Sequence, residues 1–130
     1  MKIFYSQIRT AIVAALGLAF GLGSLLLADE PQATLRLTPG PGNPRNSEGD
    51  FIQLKDGRIM FVYTRFTGGG SDHAKAHLAA RFSNDGGLTW TAKDKTVLSN
   101  EGGLNIMSVS LLRLHNGAVA LFYLRKNSLK

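Results

Sequence analysis

Apolar residues in the second half of the chain fall in short runs that are separated by turn-forming residues, which is typical of β-strands. The first three apolar runs cover residues 51–54, 58–66 and 77–83. Asp-Gly between the first two runs predicts a two-residue hairpin turn. Good helix formers also occur around the third run, so a helix is the alternative there. We favour a strand, because Ser83–Gly87 turns the chain directly afterwards.

The apolar pattern then repeats. Residues 54–66, LKDGRIMFVYTRF, align without gaps on residues 114–126, LHNGAVALFYLRK, at an offset of 60. A repeated apolar hairpin indicates an array of small antiparallel sheets, as in a β-propeller. Two similar hairpins of a β-sandwich are the alternative that this repeat leaves open.

The first 28 residues have the pattern of a secretory signal peptide. Lys2 and Arg9 precede an uncharged, mostly apolar run over residues 11–28, and acidic residues follow at once. This order predicts export and cleavage, and therefore a secreted or periplasmic protein without stable membrane association. An uncleaved anchor is the alternative, because about eighteen residues can just span a bilayer. Residues 29–49 hold all four prolines and form a Pro/Gly-rich leading segment with little regular structure.

Composition and charge limit the classes of partner and ligand that the chain can bind. The chain has a net charge of +6 and no cysteine, so neither a disulfide nor a lipoprotein anchor is possible. The basic residues are scattered and do not interleave with aromatic residues, which argues against nucleic-acid binding. A mildly basic exported protein favours an anionic ligand. We predict no cofactor and no metal, because His73 and His77 lack a third ligand at a suitable spacing.

The turn that follows the third apolar run carries a motif. Residues Ser83–Trp90, SNDGGLTW, fit S-x-D-x-G-x-T-W at every defined position. Asp85 can accept hydrogen bonds from N–H groups of its own turn, Gly87 permits a positive φ, and Trp90 offers a large apolar ring. This turn resembles the Asp-box, or BNR repeat, of sialidases (neuraminidases) and of several other β-propellers. In sialidase-like folds it lies away from the substrate, which implies a structural role for Ser83, Asp85, Gly87, Thr89 and Trp90.

The resemblance covers about residues 43–130, where the order of strands, turns and loops is similar to that of the first blade of a bacterial sialidase. It implies an all-β chain with about one and a half blades of a six-bladed β-propeller. The first blade would span residues 50–98, and the second would begin over residues 105–130. The chain is then an N-terminal fragment of a longer enzyme and is expected to be inactive alone, because the third arginine and the Tyr/Glu nucleophile pair would lie in later blades.

The resemblance also implies site residues. Sialidases hold the substrate carboxylate with three arginines, whose planar donors suit a carboxylate. Arg65, at the end of a strand, matches one of them, and Asp72, seven residues later, matches the acid/base aspartate. Arg45 is the candidate for another, but it lies in PRNSE instead of the family's aromatic-Arg-Ile-Pro run, about two residues early. Either the leading loop is longer or Arg45 does not bind carboxylate. Glu48 is a candidate to orient an arginine or to contact the ligand.

The function that the resemblance implies is that of an exported exo-α-sialidase-like glycoside hydrolase. It would release terminal sialic acid from glycoconjugates, so its partners would be sialylated or other acidic glycans. A non-catalytic Asp-box propeller that binds glycans or proteins is one alternative, because the turn marks a fold and not an activity. A related glycosidase that acts on another sugar is the other.

Overall fold

The computed structural model describes residues 33–129, and all regular structure in this part of the chain is β-strand. The first four strands form an antiparallel sheet in the order β1-β2-β3-β4, and the last two form a two-stranded antiparallel sheet that leaves the array unclosed over the described residues. The all-β prediction is confirmed. The six strands are β1 (Arg45–Gln53), β2 (Ile59–Phe66), β3 (Ala76–Ser83), β4 (Lys95–Leu98), β5 (Asn105–Arg113) and β6 (Val119–Lys126).

Strand β1 begins earlier than the apolar pattern predicted. Its ladder with β2 continues to the pair Arg45↔Phe66, across an irregularity between Ser47 and Gly49. A Cβ at Gly49 would lie 2.5 Å from the carbonyl oxygen of Val62, so only glycine fits this close approach. The expectation of little regular structure throughout residues 29–49 is therefore wrong for the last five of them. The side chains there are mostly polar, so the apolar pattern did not indicate a strand. These residues form a strand because they pair with β2.

Both repeated hairpins turn in the same way, and the turn is one residue longer than predicted. Leu54 N–H donates to the carbonyl of Arg58 at 2.7 Å, which leaves three residues in the loop. Gly57 closes that loop with a φ of 86°, and Gly117 does so in the second hairpin with a φ of 80°. A three-residue loop that ends in a left-handed glycine is a common hairpin connection. Strand β3 confirms the predicted strand and excludes the helix alternative at that place.

The core lies between the two sheets. Alternate residues of β2 point to opposite faces, and the face with Val62, Thr64 and Phe66 is buried against the second sheet. We call it the inner face, and we call the opposite face, with Phe51, Phe61, Tyr63 and Arg65, the back face. Five buried apolar side chains make the main core cluster: Val62, Leu78, Ala80, Ile106 and Val109. A smaller cluster contains Phe66, Ala76 and Met107.

Two hydrogen bonds fix the second sheet onto the inner face. The N–H of Ser108 donates to Oγ1 of Thr64 at 3.2 Å, and the N–H of Leu111 donates to Oδ2 of Asp50 at 2.8 Å. Both donors lie at or near the irregularity of β5 between Met107 and Ser110. Ser108 itself has a φ of 61°, which is uncommon for a residue with a side chain. The irregularity thus turns backbone donors of β5 toward the first sheet.

The two ends of this assembly differ. One end holds the long loop between β2 and β3, which the pair Phe66↔Ala76 flanks. The pair Asn105↔Lys126 of the second sheet lies at the same end. We call this the loop end. At the other end, which we call the hairpin end, lie both repeated turns and the Ser83–Trp90 turn. This separation positions the candidate site described below.

The predicted signal peptide, residues 1–28, lies outside the described residues. Among residues 33–129, the structure contains no helix of the length and apolar character needed to span a membrane.

Candidate functional site

Arg45 and Asp72, both selected as candidate site residues, meet at the loop end. Arg45 opens β1, and Asp72 lies in the loop that joins β2 to β3. Nη1 of Arg45 donates to Oδ1 of Asp72 at 2.5 Å and to the carbonyl of Gly70 at 3.1 Å. The Arg45 guanidinium carbon also lies 4.6 Å from the ring centroid of Phe66, a cation–π contact that holds the side chain over the buried ring. The side chains of Arg45 and Asp72 are 31% and 58% exposed, so a ligand can reach both.

The second sheet holds the Asp72 loop from behind. Nδ2 of Asn105 donates to the carbonyl of Asp72 at 2.9 Å and to that of Ala74 at 2.8 Å. Asn105 is fully buried, and its Oδ1 has no hydrogen-bond partner within the described residues. Nζ of Lys126 also donates to the carbonyl of Asp72, at 3.0 Å, and lies 3.5 Å from Nδ1 of His73. The backbone of the Asp72 loop is therefore held by two strands of the second sheet, β5 and β6.

Sequence reasoning gave Asn105 no physical role. An asparagine at a strand start carries no distinctive spacing, and its partners are two backbone carbonyls more than thirty residues away. One signal was present. The offset of 60 residues that relates the two hairpins extends back to the strand starts, where it places Asn105 on Arg45. Both residues bind the same loop, one from each sheet.

The charge of Arg45 fixes the ionisation of Asp72. The hydrogen bond and the charge of the guanidinium hold the pKa of the Asp72 carboxyl below its ordinary value, against a small effect of burial, and Lys126 and His73 act in the same direction. Asp72 is thus a carboxylate at neutral pH in this structure. It can accept a proton as it stands, and it can donate one only after its contact with Arg45 is weakened.

Arg65 lies elsewhere, on the back face. In the ladder of β1 and β2, Arg45 is opposite Phe66 and Arg65 is opposite Asn46, so the two arginines point to opposite faces. Nε of Arg65 lies 3.2 Å from Oδ2 of Asp94, which also contacts Arg81. The structure therefore brings Arg45 to Asp72 but does not bring Arg65 to either of them.

Asp94 is the centre of this back-face cluster. The hydroxyl of Tyr63 donates to Oδ1 of Asp94 at 2.7 Å, and the Arg81 guanidinium binds the same oxygen and the carbonyl of Thr91. Burial works against the ionised carboxyl, but the bonds from Tyr63 and Arg81 outweigh it and lower the pKa of Asp94. Because Asp94 lies between the Ser83–Trp90 turn and β4, the cluster ties this connection to the middle of the sheet.

The two described tyrosines both donate to carboxylates. Burial, followed by the bond to Asp94, raises the pKa of Tyr63 to about 12. The hydroxyl of Tyr123 donates to Oε1 of Glu101 at 2.5 Å, and this bond raises the pKa of Tyr123 as well. Both phenols are protonated at neutral pH, so neither is activated as a nucleophile in this arrangement.

The remaining candidates lie apart from each other. Glu48 is exposed at the irregularity of β1, three residues from Arg45. His77 pairs with Arg65 across the sheet, and burial lowers its pKa, whereas His73 lies in the Asp72 loop. Over residues 33–129, no group of three His, Cys, Asp or Glu side chains is arranged to hold a metal ion.

The Ser83–Trp90 turn is organised by one carboxylate. Asp85 accepts from the N–H of Thr89 at 2.9 Å, from Oγ1 of Thr89 at 2.5 Å and from Oγ of Ser83 at 2.7 Å. The bonds from Thr89, and then that from Ser83, lower the pKa of Asp85 to about 2. Oγ of Ser83 in turn accepts from Gly87 N–H at 2.8 Å, and the ring of Trp90 meets Phe51 edge to face at 5.8 Å. Asp85 thus accepts these hydrogen bonds from residues of its own turn. This turn lies at the hairpin end, whereas Asp72 lies at the loop end.

No known protein family matches this chain, and comparison with curated proteins finds no match either. We therefore infer the function of the chain from the geometry of the loop end.

Proposed function

We propose that this chain forms part of an exported exo-α-sialidase-like glycoside hydrolase, in which Arg45 receives the sugar carboxylate and Asp72 transfers a proton. The observation that carries the proposal is the direct contact between these two residues. They are 27 residues apart in sequence, and each was selected for a different part of the same chemistry. Their partly exposed side chains share one end of the sheet, where an acidic glycan can approach both.

The architecture supports this proposal. A four-stranded antiparallel sheet in sequential order, packed face to face against a repeat of its own first hairpin, is the arrangement of neighbouring propeller blades. On this proposal the first sheet is the first blade of a six-bladed propeller, and β5–β6 begin the second. The Ser83–Trp90 turn forms the internally bonded loop expected of an Asp-box, at the end away from Asp72.

The contact between Arg45 and Asp72 gives the proposed site a sequence of events. A ligand carboxylate that binds the Arg45 guanidinium competes with Asp72 for the same donor, because Nη1 is already engaged at 2.5 Å. Once Arg45 turns to the ligand, the pKa of Asp72 rises, because the guanidinium contact is lost and the ligand carboxylate adds negative charge nearby. Asp72 must then take up a proton from solvent before it can pass one to a glycosidic oxygen as a general acid. Lys126, whose Nζ binds the same loop, adds positive charge beside an anionic ligand.

Arg65 and Glu48 have different places in this proposal. For Arg65 to bind the carboxylate held by Arg45, its side chain would have to leave Asp94 and reach the other face of the sheet. We therefore propose that Arg65 stabilises the back-face cluster. Glu48 is exposed on the same strand as Arg45 and is retained as a candidate ligand contact. Export depends on the predicted signal peptide, and the proposed partners are sialylated or other acidic glycans.

A non-catalytic glycan-binding protein is the second candidate, and one observation favours it. Asp72 is held as a carboxylate by Arg45, so in the resting site it carries no proton that it could donate to a glycosidic oxygen. Such a protein needs Arg45 for affinity and needs no proton transfer. The two candidates therefore differ in the consequence of neutralising Asp72.

Calorimetric titration of the full chain with methyl α-sialoside tests the common part of both candidates. Charged hydrogen bonds contribute about 1.5–3 kcal/mol, so we expect Arg45→Ala to weaken binding about tenfold or more. Arg58→Ala is the matched control, because Arg58 pairs with Asp56 at the hairpin end. Equal binding by Arg45→Ala and the control, or equal binding of neutral methyl galactoside, would refute carboxylate recognition by Arg45.

The variant Asp72→Asn distinguishes the two candidate functions, an enzyme and a glycan-binding protein. The variant frees Arg45, so the affinity for the sialoside should stay the same or rise in both cases. In the longer enzyme that the resemblance implies, turnover of a fluorogenic sialoside should fall much more than binding changes. Unchanged turnover by Asp72→Asn would show that Asp72 takes no part in the reaction. An absence of turnover by the unaltered enzyme, together with intact binding of the sialoside, would favour the second candidate.

A further inference from the structure

Lys126, at the end of β6, carries a positive charge at the loop end that no carboxylate balances within residues 33–129. Each of the four ion pairs in that range belongs to an arginine: Arg45, Arg58, Arg65 or Arg81. The ammonium group of Lys126 lies against the Asp72 loop, 3.0 Å from the carbonyl of Asp72 and 3.5 Å from Nδ1 of His73. An ammonium group is a compact, strongly hydrated charge, so a half-buried one without an anionic partner is suited to bind an anionic ligand.

The contacts that Lys126 makes in the loop can be given up without releasing the loop. The carbonyl of Asp72 also accepts from Nδ2 of Asn105 at 2.9 Å, so this oxygen keeps a buried donor when the lysine turns away. The separation of 3.5 Å between Nζ and His73 is too long for a strong hydrogen bond. One of the three donors of the ammonium group is therefore firmly engaged, and the others are available to a ligand.

Arg45 differs from Lys126, because its charge is already paired. Its Nη1 donates to Oδ1 of Asp72 at 2.5 Å, and a ligand carboxylate has to displace that bond. Lys126 and Arg45 bind two oxygens of the same residue, the main-chain oxygen and a side-chain oxygen of Asp72. A ligand carboxylate beside Asp72 can thus meet Lys126 without first breaking an ion pair.

The internal repeat shows that the two sheets supply these cations from different strands. Arg45 is opposite Phe66 in the first sheet, and Asn105 is opposite Lys126 in the second. At the offset of 60 residues, Asn105 takes the place of Arg45, and Lys126 takes the place of Phe66. The first sheet therefore supplies its cation from its first strand and the second sheet from its second strand. The loop between β2 and β3 is in contact with both.

We propose that Lys126 is a specificity-determining residue, which binds the carboxylate of the acidic sugar first and is joined by Arg45 when Asp72 is released. This inference rests on the proposed function of the loop end. Nζ turns from the carbonyl of Asp72 to the ligand, while Asn105 keeps the loop in place. Lys126 remains protonated throughout, so it selects acidic over neutral sugars and is not an acid or base of the reaction.

Calorimetric titration of the full chain with methyl α-sialoside and with its carboxylate methyl ester tests this role. Lys126→Met removes the charge and keeps a long side chain, so the affinity for the acid should fall about tenfold while that for the ester stays the same. Lys126→Arg keeps a cation and should retain the preference for the acid. Arg125→Met is the matched control. It removes the same charge one residue earlier, where Nε of Arg125 donates to Oδ1 of Asn127 at 3.2 Å, and it should bind both ligands as the unaltered chain does.

Hydrogen exchange separates ligand binding from support of the loop. The exchange over residues 67–75 should be unchanged in Lys126→Met, because Asn105 still binds the loop. Faster exchange there, with an equal loss of affinity for acid and ester, would show that Lys126 only supports the loop and would overturn the inference. Weaker binding of the acid by Arg45→Ala, with unaltered binding by Lys126→Met, would also overturn it but would leave the proposed function standing. Unaltered binding by both variants would refute the proposed function as well.

Discussion

Replacing Asn105 with alanine removes the side chain that holds the Asp72 loop from the second sheet. Two hydrogen bonds are lost, of 2.9 Å to the carbonyl of Asp72 and of 2.8 Å to that of Ala74. A net value of about 1 kcal/mol for each bond, with a smaller cost for the space left by a fully buried side chain, gives a destabilisation of about 2–3 kcal/mol. For a domain of this size, that corresponds to a fall in Tm of roughly 10 °C.

Urea unfolding followed by fluorescence measures this change, because Trp90 is the single tryptophan of the chain. Asn84→Ala is the matched control, since Asn84 is exposed in a turn and its replacement should change the free energy of unfolding by less than about 0.5 kcal/mol. Hydrogen exchange should also become faster in the loop over residues 67–75. If Asn105→Ala unfolds at the same urea concentration as the control, the second sheet does not hold the Asp72 loop and the account of the site is refuted.

Three further predictions concern the inner face, the turn and the back face. Thr64→Val removes the acceptor of Ser108 N–H without changing the shape of the side chain and should cost about 1–2 kcal/mol in thermal unfolding; no change would show that the sheets are not linked there. The pKa of Asp85 is lowered from 3.8 to about 2, so its contribution to stability is present above about pH 4 and is lost as the pH falls through about 2. The free energy of unfolding of Asp85→Asn should therefore change less with pH over this window than that of the unaltered chain. Parallel pH dependences of the two proteins would contradict the turn geometry. Asp94→Asn weakens the ion pairs of two arginines, Arg65 included, and should destabilise by about 1–2 kcal/mol in urea; a neutral effect would argue against the back-face cluster.

Much of the fold could be predicted from local sequence signals. The apolar runs and the left-handed glycines located β2, β3 and both hairpins, because strand pairing and turn chemistry there depend on neighbouring residues. The early start of β1 could not be predicted, because Arg45 to Gly49 are mostly polar and become a strand only by pairing with β2. The same reason explains the third residue of the hairpin loop, which depends on the register of the flanking strands.

The candidate site was predictable only in part. The resemblance selected Arg45 and Asp72, which lie together, and also Arg65, which lies on the other face. A difference of one residue in strand register decides the face, and the spacing of residues along the chain does not determine that register. Asp94 was missed and Asn105 was given no physical role, because each acts through contacts with distant parts of the chain.

The central claim is that the loop end recognises the carboxylate of an acidic sugar through Arg45. Backbone amide chemical shifts of the full chain, recorded during titration with methyl α-sialoside and with its carboxylate methyl ester, test it most directly. The account predicts that the acid shifts the signals of Arg45 and of the Asp72 loop, that the ester shifts them far less, and that the Ser83–Trp90 turn is unaffected by both. Equal shifts with acid and ester, or shifts confined to the hairpin end, would contradict it.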